Sequence, residues 1–223
     1  ESLRAREVLL NAAPHVIWPM RFVLPHNPSM RPAWLIRLRL FIYDHIGGRD
    51  RLPRCRTVSL QSSPLGDALR PGLRRGFEYS DCWVDDARLV VLSALDAREH
   101  GADIRVGTEF ETAHREGGCW HLTLRDTGNG EGSVVRARAV VNAAGPWVAD
   151  VATRRPNAAA GAPVRLVKGS HIVVPALFAH DRAYIFQNSD RRIVFAIPYE
   201  REFTLIGTTG VDLTGRPEDN GFK

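Results

Sequence analysis

The chain has 223 residues and a mass of 24.8 kDa, which is enough for one large domain or two small ones. It carries 30 lysines and arginines against 25 acidic residues, so its formal net charge is +5. The arginines are scattered and form no single basic stripe, which argues against a nucleic-acid partner. The positive charge suits an anionic small substrate or an anionic membrane surface. No apolar run approaches the roughly 18 residues of a membrane-spanning helix.

The three cysteines, Cys55, Cys82 and Cys119, lie far apart in the sequence. They form no Cys-x-x-Cys pair and no paired Cys/His spacing, so the sequence predicts neither a disulfide framework nor a metal site. We interpret them as small hydrophobic residues of a protein in a reducing compartment. This indicates a cytoplasmic location.

The first residues predict a helix followed by an extended segment. Residues 2–12 have a helical pattern that stops before Pro14. Residues 16–26 alternate bulky and polar side chains between prolines, which predicts an edge strand or an extended connection.

A second helix is predicted from Pro32 to residue 46, with Gly47 and Gly48 ending it. Arg37 and Asp44 share one side of this helix, and its apolar residues share another: Trp34, Leu35, Leu38, Phe41 and Ile42. One interpretation is a helix that lies on a membrane surface. The other is a mostly buried helix with two or three solvated charges.

The next segment predicts a loop, a strand and a third helix in that order. Residues 49–75 are rich in Arg, Pro, Ser and Gly and predict a loop with at most a short helix. Residues 74–85 predict a strand with alternating aromatic residues. Asp85 is the expected N-cap of a helix that Gly101 ends.

Residues 102–126 predict two or three short strands with a tight turn at Gly117 and Gly118. A second turn, GNGEG at 128–132, contains Gly-x-Gly. Because it lies between two strands and precedes no helix, we do not interpret it as a phosphate-binding loop.

Small residues follow a predicted strand in the middle of the chain. The β-branched run Ala139–Val141 leads into Asn142, Ala143, Ala144 and Gly145, and Pro146 begins a new helix. Small residues at the carboxyl end of a strand let a nucleotide cofactor come close in doubly wound sheets. The alternative is a tight strand-to-helix turn that needs glycine for its dihedral angles.

The remainder of the chain is rich in predicted strands: 164–167, 171–174, 183–187, 192–197 and 203–207. Helices and strands that alternate first and are followed by a run of strands predict a mixed α/β (α+β) fold. Polar residues occupy strand positions that a plain buried sheet would not require: Lys168, His171, Arg192, Thr208 and Thr209.

Several segments together carry a family resemblance: REVLLNAAPH, WPMRFVLPH, RPAWLIRLRLFIYDHIG, RGFEYSDCWVDDARLV, VVNAAGPWV, RLVKGSHIVVP, RRIVFAIPY and IGTT. In this order and spacing the chain closely resembles the FAD-dependent (aerobic-type) glycerol-3-phosphate dehydrogenases of the D-amino-acid-oxidase-like flavoprotein group. The likeness runs from Arg6 to about Val211.

The resemblance implies part of a Rossmann-like FAD/NAD(P)-binding domain with an interleaved β-rich substrate domain. Residues 1–15 and 85–155 would belong to the FAD-binding domain, and 16–84 and 160–215 to the substrate-binding or cap domain. The family's Gly-x-Gly-x-x-Gly loop and its carboxyl-terminal part have no counterpart here. We therefore interpret the chain as an internal fragment that binds FAD poorly by itself.

The activity that the resemblance implies is oxidation of sn-glycerol 3-phosphate to dihydroxyacetone phosphate, with hydride transfer to FAD and electron transfer to the quinone pool. It also implies peripheral attachment to the inner face of the cytoplasmic membrane and a homodimer as the candidate assembly. Two alternatives stay open: another oxidoreductase of the same flavoprotein group, and a non-catalytic domain that binds a membrane or a partner.

The resemblance also implies substrate-side roles for three residues. His171 would accept the C2 hydroxyl proton or polarise that hydroxyl, Arg192 would contact the phosphate, and Thr209, with Thr208 beside it, would donate a hydroxyl. The alternatives are a His171 bonded to a backbone carbonyl and an Arg192 that is a solvated turn residue beside Asp190. Gly210 replaces the aspartate that the family usually has after the two threonines.

On the cofactor side, the resemblance implies that Asn142, Ala143, Ala144 and Gly145 pass beneath the nucleotide. Lys168 would lie near the anionic edge of the flavin, and the alternative is a surface lysine. The backbone of Phe110 would meet the adenine.

Overall fold

The computed structural model describes residues 2–46, 52–154, 164–188, 190, 192–217 and 219. The helices within these residues are α1 (Ser2–Ala12), α2 (Ala33–Ile46), α3 (Asp86–Glu99) and α4 (Val148–Thr153). The strands are β1 (Ile17–Pro25), β2 (Arg56–Ser59), β3 (Arg75–Val84), β4 (Thr108–Glu116), β5 (Cys119–Asp126), β6 (Gly132–Ala137), β7 (Leu166–Pro175), β8 (Ala183–Gln187), β9 (Ile193–Tyr199) and β10 (Phe203–Leu213). The prediction of a mixed α/β fold is confirmed.

The strands form two sheets. The larger has seven strands in the order β2-β3-β1-β8-β9-β10-β7, and the smaller is the meander β4-β5-β6. The predicted strands 164–167 and 171–174 form the single strand β7, because the glycine and polar residues between them do not interrupt it.

The chain divides into two compact units. The first comprises Glu1–Leu95 and Gly169–Gly210, and the second comprises Asp96–Lys168 and Val211–Lys223. The division that we predicted, between FAD-binding and substrate-binding residues, stays a prediction.

Strand β1 corrects the prediction of an edge strand or extended connection at 16–26. It lies inside the large sheet, antiparallel to β3 along its whole length and parallel to β8 at Phe22 and Val23. Proline is tolerated because Pro19 lies outside the two residues that pair with β8. Two hydrophobic clusters form the core of the first unit, one around Val16 and Ile17 and another around Val23 and Tyr184.

Residues 49–75 contain more structure than the predicted loop. Within the described part, β2 pairs with β3, and a short 3₁₀ turn covers Pro64–Gly66. Four residues of a strand that starts after Arg54 and Cys55 are too few to show a clear alternation in the sequence.

Helix α2 has its predicted extent, but the interpretation as a mostly buried helix is wrong. Trp34 is 68% exposed, and Leu38, Phe41 and Ile42 are exposed with it. The other side of the helix packs on the rest of the first unit, where Tyr43 contacts the cluster of Val16 and Ile17 and Asp44 accepts a hydrogen bond from the backbone N–H of Cys55 at 2.9 Å. Gly47 and Gly48, the expected end of the helix, lie outside the described residues.

Helix α3 follows its predicted cap. The Asp85 carboxylate accepts a hydrogen bond from the backbone N–H of Arg88, and Gly101 has a positive φ of 93° after the last turn. Among the residues that the structure describes, none of the helices combines the length and apolarity needed to span a bilayer.

The small sheet has the predicted hairpins. Gly117 and Gly118 both have positive φ in the turn between β4 and β5, and GNGEG connects β5 to β6. Residues 139–141 are not a strand, which corrects our prediction. They pair with none of the described strands and Val141 is 88% exposed, so β-branched character alone does not make a strand without a neighbour.

Candidate functional site

His171 lies on strand β7 against a glycine of the neighbouring strand. An ideal Cβ placed on Gly207 of β10 would lie 2.8 Å from Cγ and 2.9 Å from Nε2 of His171. The imidazole therefore occupies the space that any larger residue at position 207 would need. It stays exposed on its other side. The absent side chain of Gly207 thus positions an accessible titratable group on the sheet.

A second glycine repeats this arrangement one step along the same pair of strands. A Cβ on Gly169 would overlap Oγ1 of Thr208, and the Cβ of Thr208 is 3.4 Å from it. Gly169 and Gly207 thus accommodate the Thr208 hydroxyl and the His171 imidazole. Neither glycine was predicted from the sequence, although a glycine inside a strand pattern often marks such a close approach.

The face of the sheet that carries His171 is aromatic. Phe195 pairs with Gly207 in the β9–β10 register, so its side chain points to the face on which the imidazole lies. Phe195 contacts Phe22 edge-on at 6.0 Å between ring centroids, and Phe22 stacks on Tyr79 at 5.6 Å. We call this surface of Phe22, Tyr79, Phe195 and His171 the aromatic face.

A cavity of about 610 Å³ lies in the same unit, beside the cross-strand pair Trp18 and Trp83. Tyr199 lines it together with the acidic residues Asp85 and Glu200. Its mixture of indole and phenol rings with a few charged groups is typical of a small-molecule site.

Glu78 lies within β3 and is fully buried. Its carboxylate forms ion pairs with Arg21 at 3.2 Å, with Arg182 at 3.3 Å and with Arg56. Burial opposes its charge, but hydrogen bonds from Arg21 and Arg56 outweigh that cost and lower the pKa of Glu78 to about 2. This cluster fixes strands β1, β2 and β3 relative to one another.

Arg192, the predicted phosphate contact, is bound by its neighbour. Its Nε lies 2.7 Å from Oδ2 of Asp190, and its backbone N–H donates to Oδ1 of the same carboxylate at 3.0 Å. Hydrogen bonds from the Arg192 side chain and backbone lower the pKa of Asp190. This geometry matches the solvated turn residue that we gave as the alternative.

The other predicted substrate-side residue, Thr209, is exposed on β10. Its carbonyl accepts a hydrogen bond from the Thr208 hydroxyl at 3.4 Å. His171, Arg192 and the two threonines all belong to the first unit, and the structure brings His171 and Thr208 to the same pair of strands.

The predicted cofactor-side residues belong to the second unit. Lys168 is half-buried on β7. Residues 142–145 form an exposed turn in which the Asn142 side chain accepts from the Ala144 N–H and donates to the Val148 carbonyl. Gly145 has a φ of +52°, with open space where a Cβ would be. The turn therefore needs glycine for its dihedral angle, and it leaves room for a ligand.

Phe110 lies on β4 beside an arginine that uses its backbone. Its carbonyl accepts a hydrogen bond from Nη1 of Arg154 at 2.7 Å, and the strand has a bulge between Phe110 and Thr112. The Phe110 backbone, which we predicted to contact the adenine, therefore already has its carbonyl hydrogen-bonded to Arg154.

The comparisons with known proteins define the class. Residues 1–222 match the family model of the DAO group, described as FAD dependent oxidoreductase. The chain belongs to this family, and FAD is the family's cofactor.

The chain is also similar to individual enzymes that act on phosphorylated polyols according to their names. The chain is 54% identical over 98% of its length to D-erythritol 1-phosphate dehydrogenase of Brucella abortus (strain 2308), covering 44% of that protein. It is 53% identical over 97% of its length to glycerol-3-phosphate dehydrogenase of Pseudomonas aeruginosa (strain PAO1), covering 42% of it. The chain thus spans less than half the length of these relatives.

A solved structure supports the fold. The glycerol-3-phosphate dehydrogenase from Bacillus halodurans complexed with FAD superimposes with a TM-score of 0.70 at 24% identity, over 95% of this chain and 38% of that one. The residues here fit FAD in one respect, since the 142–145 turn is exposed, small and open above Gly145. They offer no Gly-x-Gly-x-x-Gly loop for its phosphates, because the Gly-x-Gly of residues 128–130 joins two strands.

Proposed function

We propose that this chain, as part of a longer enzyme, carries out FAD-dependent oxidation of sn-glycerol 3-phosphate to dihydroxyacetone phosphate. The observation that carries the proposal is the likeness to polyol-phosphate dehydrogenases at 53 and 54% identity over nearly the whole chain. The geometry adds an exposed imidazole held on an aromatic face in the first unit.

When bound, FAD would supply the acceptor for the hydride from C2 of the substrate. His171 accepts the hydroxyl proton or polarises the hydroxyl, because an imidazole nitrogen can accept or donate a hydrogen bond and this ring is exposed. Thr208 and Thr209 donate hydroxyls to the substrate. The rings of the aromatic face exclude water from the reacting carbon.

Contact between Arg192 and the substrate phosphate requires an existing ion pair to break. Arg192 must exchange the Asp190 carboxylate for the substrate phosphate, which a guanidinium also binds in a forked arrangement. Lys168 and the 142–145 turn are proposed to contact the cofactor, through an ammonium group and through backbone and small side chains respectively. Phe110 is proposed to contribute through its backbone.

The second candidate substrate is D-erythritol 1-phosphate. The observation in its favour is the 54% identity to the Brucella abortus dehydrogenase. Both candidates are phosphorylated polyols. The same residues would therefore bind the phosphate and accept the hydroxyl proton in either case. They differ in the length of the carbon chain that the site must accommodate.

A chimera tests the activity and separates the two substrates. The matching segment of the Pseudomonas aeruginosa enzyme is replaced by this chain, and FAD content and dye reduction with each phosphate are measured. We expect a flavoprotein whose kcat/KM is higher for glycerol 3-phosphate, and His171→Asn to lower kcat by roughly 100-fold or more. A chimera that holds FAD but oxidises neither phosphate would favour the non-catalytic domain. A preference for D-erythritol 1-phosphate would identify the second candidate, and turnover of an amine or a non-phosphorylated alcohol would indicate another oxidoreductase of the group.

We further propose that α2 attaches the protein peripherally to the inner face of the cytoplasmic membrane, from which electrons pass to quinone. Trp34, Leu38 and Phe41 are one and two helical turns apart and all exposed, as in helices that lie in a membrane interface.

Sedimentation with anionic vesicles tests this attachment. We expect salt-sensitive binding of the chain and its loss in the double variant Trp34→Ser/Leu38→Ser. The matched control is Val90→Ser, which removes an equally exposed apolar residue from α3. Equal binding of all three proteins would contradict the role of α2. The proposed homodimer is tested separately, by sedimentation velocity of the chimera.

A further inference from the structure

Two histidines face each other on the small sheet of the second unit. His114 of β4 and His121 of β5 are a directly opposed cross-strand pair, and their rings stack at 5.2 Å between centroids with an angle of 20° between planes. The tight turn at Gly117 and Gly118 sets this register, and β6 pairs with the other edge of β5. Two imidazoles are thus held side by side by backbone pairing on both sides of His121.

A carboxylate completes the group. Glu116 lies two residues after His114, so its side chain is on the same face of the sheet, with Oε2 3.6 Å from Nε2 of His114. One ligand atom of each of the three residues lies within 4.8 Å of the other two. The side chains of His114 and Glu116 are mostly exposed, so small rotations can bring their atoms together.

We propose that His114, His121 and Glu116 form a binding site for a divalent transition metal ion such as Zn²⁺. Two imidazole nitrogens and one carboxylate oxygen are a donor set that such ions take in proteins, and three ligands leave a position open for water. A tetrahedral zinc with bonds of about 2 Å requires its ligand atoms to be about 3.3 Å apart, which the side chains reach by turning inward. Mg²⁺ and Ca²⁺ prefer all-oxygen sites and are not expected to compete.

The proposed dehydrogenase chemistry does not use these three residues, and the spacing of the cysteines does not predict their site. The prediction of no metal rested on cysteines and on Cys/His spacing. It did not consider two histidines seven residues apart, which come together only through the hairpin register. One group opposes the metal: Arg136 of β6 faces His121 and adds a positive charge beside the site.

Calorimetric titration of the full chain with Zn²⁺ tests the proposal. Because Cys119 is paired with Glu116 at the end of the hairpin, the titrations use a Cys119→Ser background so that a thiolate does not supply the signal. We expect one equivalent to bind, and both His121→Gln and His114→Gln to weaken that binding by roughly tenfold or more. Excess Mg²⁺ should leave the isotherm unchanged.

Two control variants separate this site from adventitious binding. His100→Gln removes an exposed histidine that lies 3.6 Å from Asp96 and, among the described residues, belongs to no group of three metal-ligating side chains, so it should leave the Zn²⁺ affinity unchanged. Arg136→Gln removes a charge but no ligand, and should leave the affinity equal or tighter. Circular dichroism confirms that each variant is folded, and if His121→Gln is not, His114→Gln decides. Absence of binding at one equivalent, or the same loss in His100→Gln as in His114→Gln, would overturn the proposal.

Discussion

The two units of the chain use arginine–glutamate pairs in opposite ways. In the first unit, Glu78 is fully buried among Arg21, Arg56 and Arg182. In the second, Glu109 is half-buried on the small sheet, with 39% of its side chain exposed, and pairs with Arg125 at 2.7 Å and with Arg154 at 3.0 Å. The same chemistry therefore lies in two dielectric environments.

The two units also differ in how many hydrophobic side chains they bury. Among the described residues, Ala113 is the only buried hydrophobic residue of the second unit, and the other buried ones belong to the first. Val106, at 91% exposure, and Val141 have no apolar cover within the described part of the chain. Packing therefore stabilises the first unit far more than the second.

The difference shows which interactions matter for stability in each unit. When a buried carboxylate loses its charge, the guanidinium groups around it are left without a counter-charge. When a carboxylate near the surface loses its charge, water solvates the guanidinium groups instead. Substitutions of chemically identical residues should therefore have very different costs in the two units.

The largest effect is expected for Glu78→Gln. Removing this charge should lower the free energy of unfolding of the first unit by about 3–5 kcal/mol, because three arginines then surround a neutral amide. Urea denaturation followed by tryptophan fluorescence measures it, in a Trp120→Phe/Trp147→Phe background that leaves Trp18, Trp34 and Trp83 of the first unit as reporters.

The matched variant is Glu109→Gln. It breaks two partly exposed pairs and should cost at most about 1 kcal/mol per pair. Circular dichroism of the intact chain follows this second transition. Equal losses for the two variants would contradict the contrast between a fully buried and a partly exposed cluster.

The pH dependence of stability should come from the same buried carboxylate. A pKa near 2 in the folded chain, against an ordinary value of 4.5, means that the folded state holds fewer protons than the unfolded state. The stabilisation, roughly 3 kcal/mol, is fully present above pH 4.5 and is lost as the pH falls towards 2. Denaturation from pH 6 to pH 2.5 should show this loss in the parent and a flatter profile in Glu78→Gln. Parallel profiles would assign the acid sensitivity to other groups.

The sequence predicted the elements whose determinants are local. The Asp85 cap, the Gly117 and Gly118 turn and the alternating strand of residues 74–85 depend on neighbours in the chain, and all three are present. The fold class followed from their order. Helix α2 shows the limit, because periodicity shows which residues share a side but not which side faces the protein.

The site was less predictable because its contacts cross strands. His171 was identified from its unusual position, but Gly207, which holds its ring, acquires its role only when β7 lies beside β10. Glu78 resembles any solvent-facing residue of an alternating strand, and nothing local to it indicates three arginines from other strands and loops. Residues 139–141 have strand composition but pair with no strand among the residues that the structure describes.

Gly207→Ala tests the positioning of His171 within the first unit. Its Cβ would overlap the imidazole, so the ring must move, at a cost of about 1–3 kcal/mol. NMR of the histidine ring carbons and protons should show a large shift for His171 and little change for His114 and His121. In the chimera, kcat with glycerol 3-phosphate should fall without loss of FAD.

The control for this variant comes from the second unit. Gly132 lies in β6 with open space where a Cβ would be, and its φ is not positive. Gly132→Ala should therefore leave stability, the His171 resonances and turnover unchanged. Unchanged His171 resonances in Gly207→Ala would contradict the inference that the glycine positions the ring.

The smallest effect on stability is expected at Gly145 in the second unit. Its φ of +52° favours glycine, and apart from the two adjacent residues no heavy atom in the described part of the chain lies within 4 Å of the position of a Cβ, so the dihedral angle is what opposes a side chain. Gly145→Ala should cost about 1 kcal/mol, and Gly145→Asn less, because asparagine tolerates this region. Gly145→Val should cost more than Ala, because a β-branched residue is strained there.

The same position separates a structural role from a cofactor role. If the open space above Gly145 receives FAD, Gly145→Val in the chimera should lower the FAD content by more than its loss of stability explains. Gly145→Asn should fall between Val and the parent. FAD occupancy, measured from the ratio of flavin to protein absorbance, should then decrease in the order of side-chain volume. Occupancy that follows stability alone would show that this glycine serves only the turn, and the cofactor side of the proposal would have to be sought elsewhere in the second unit.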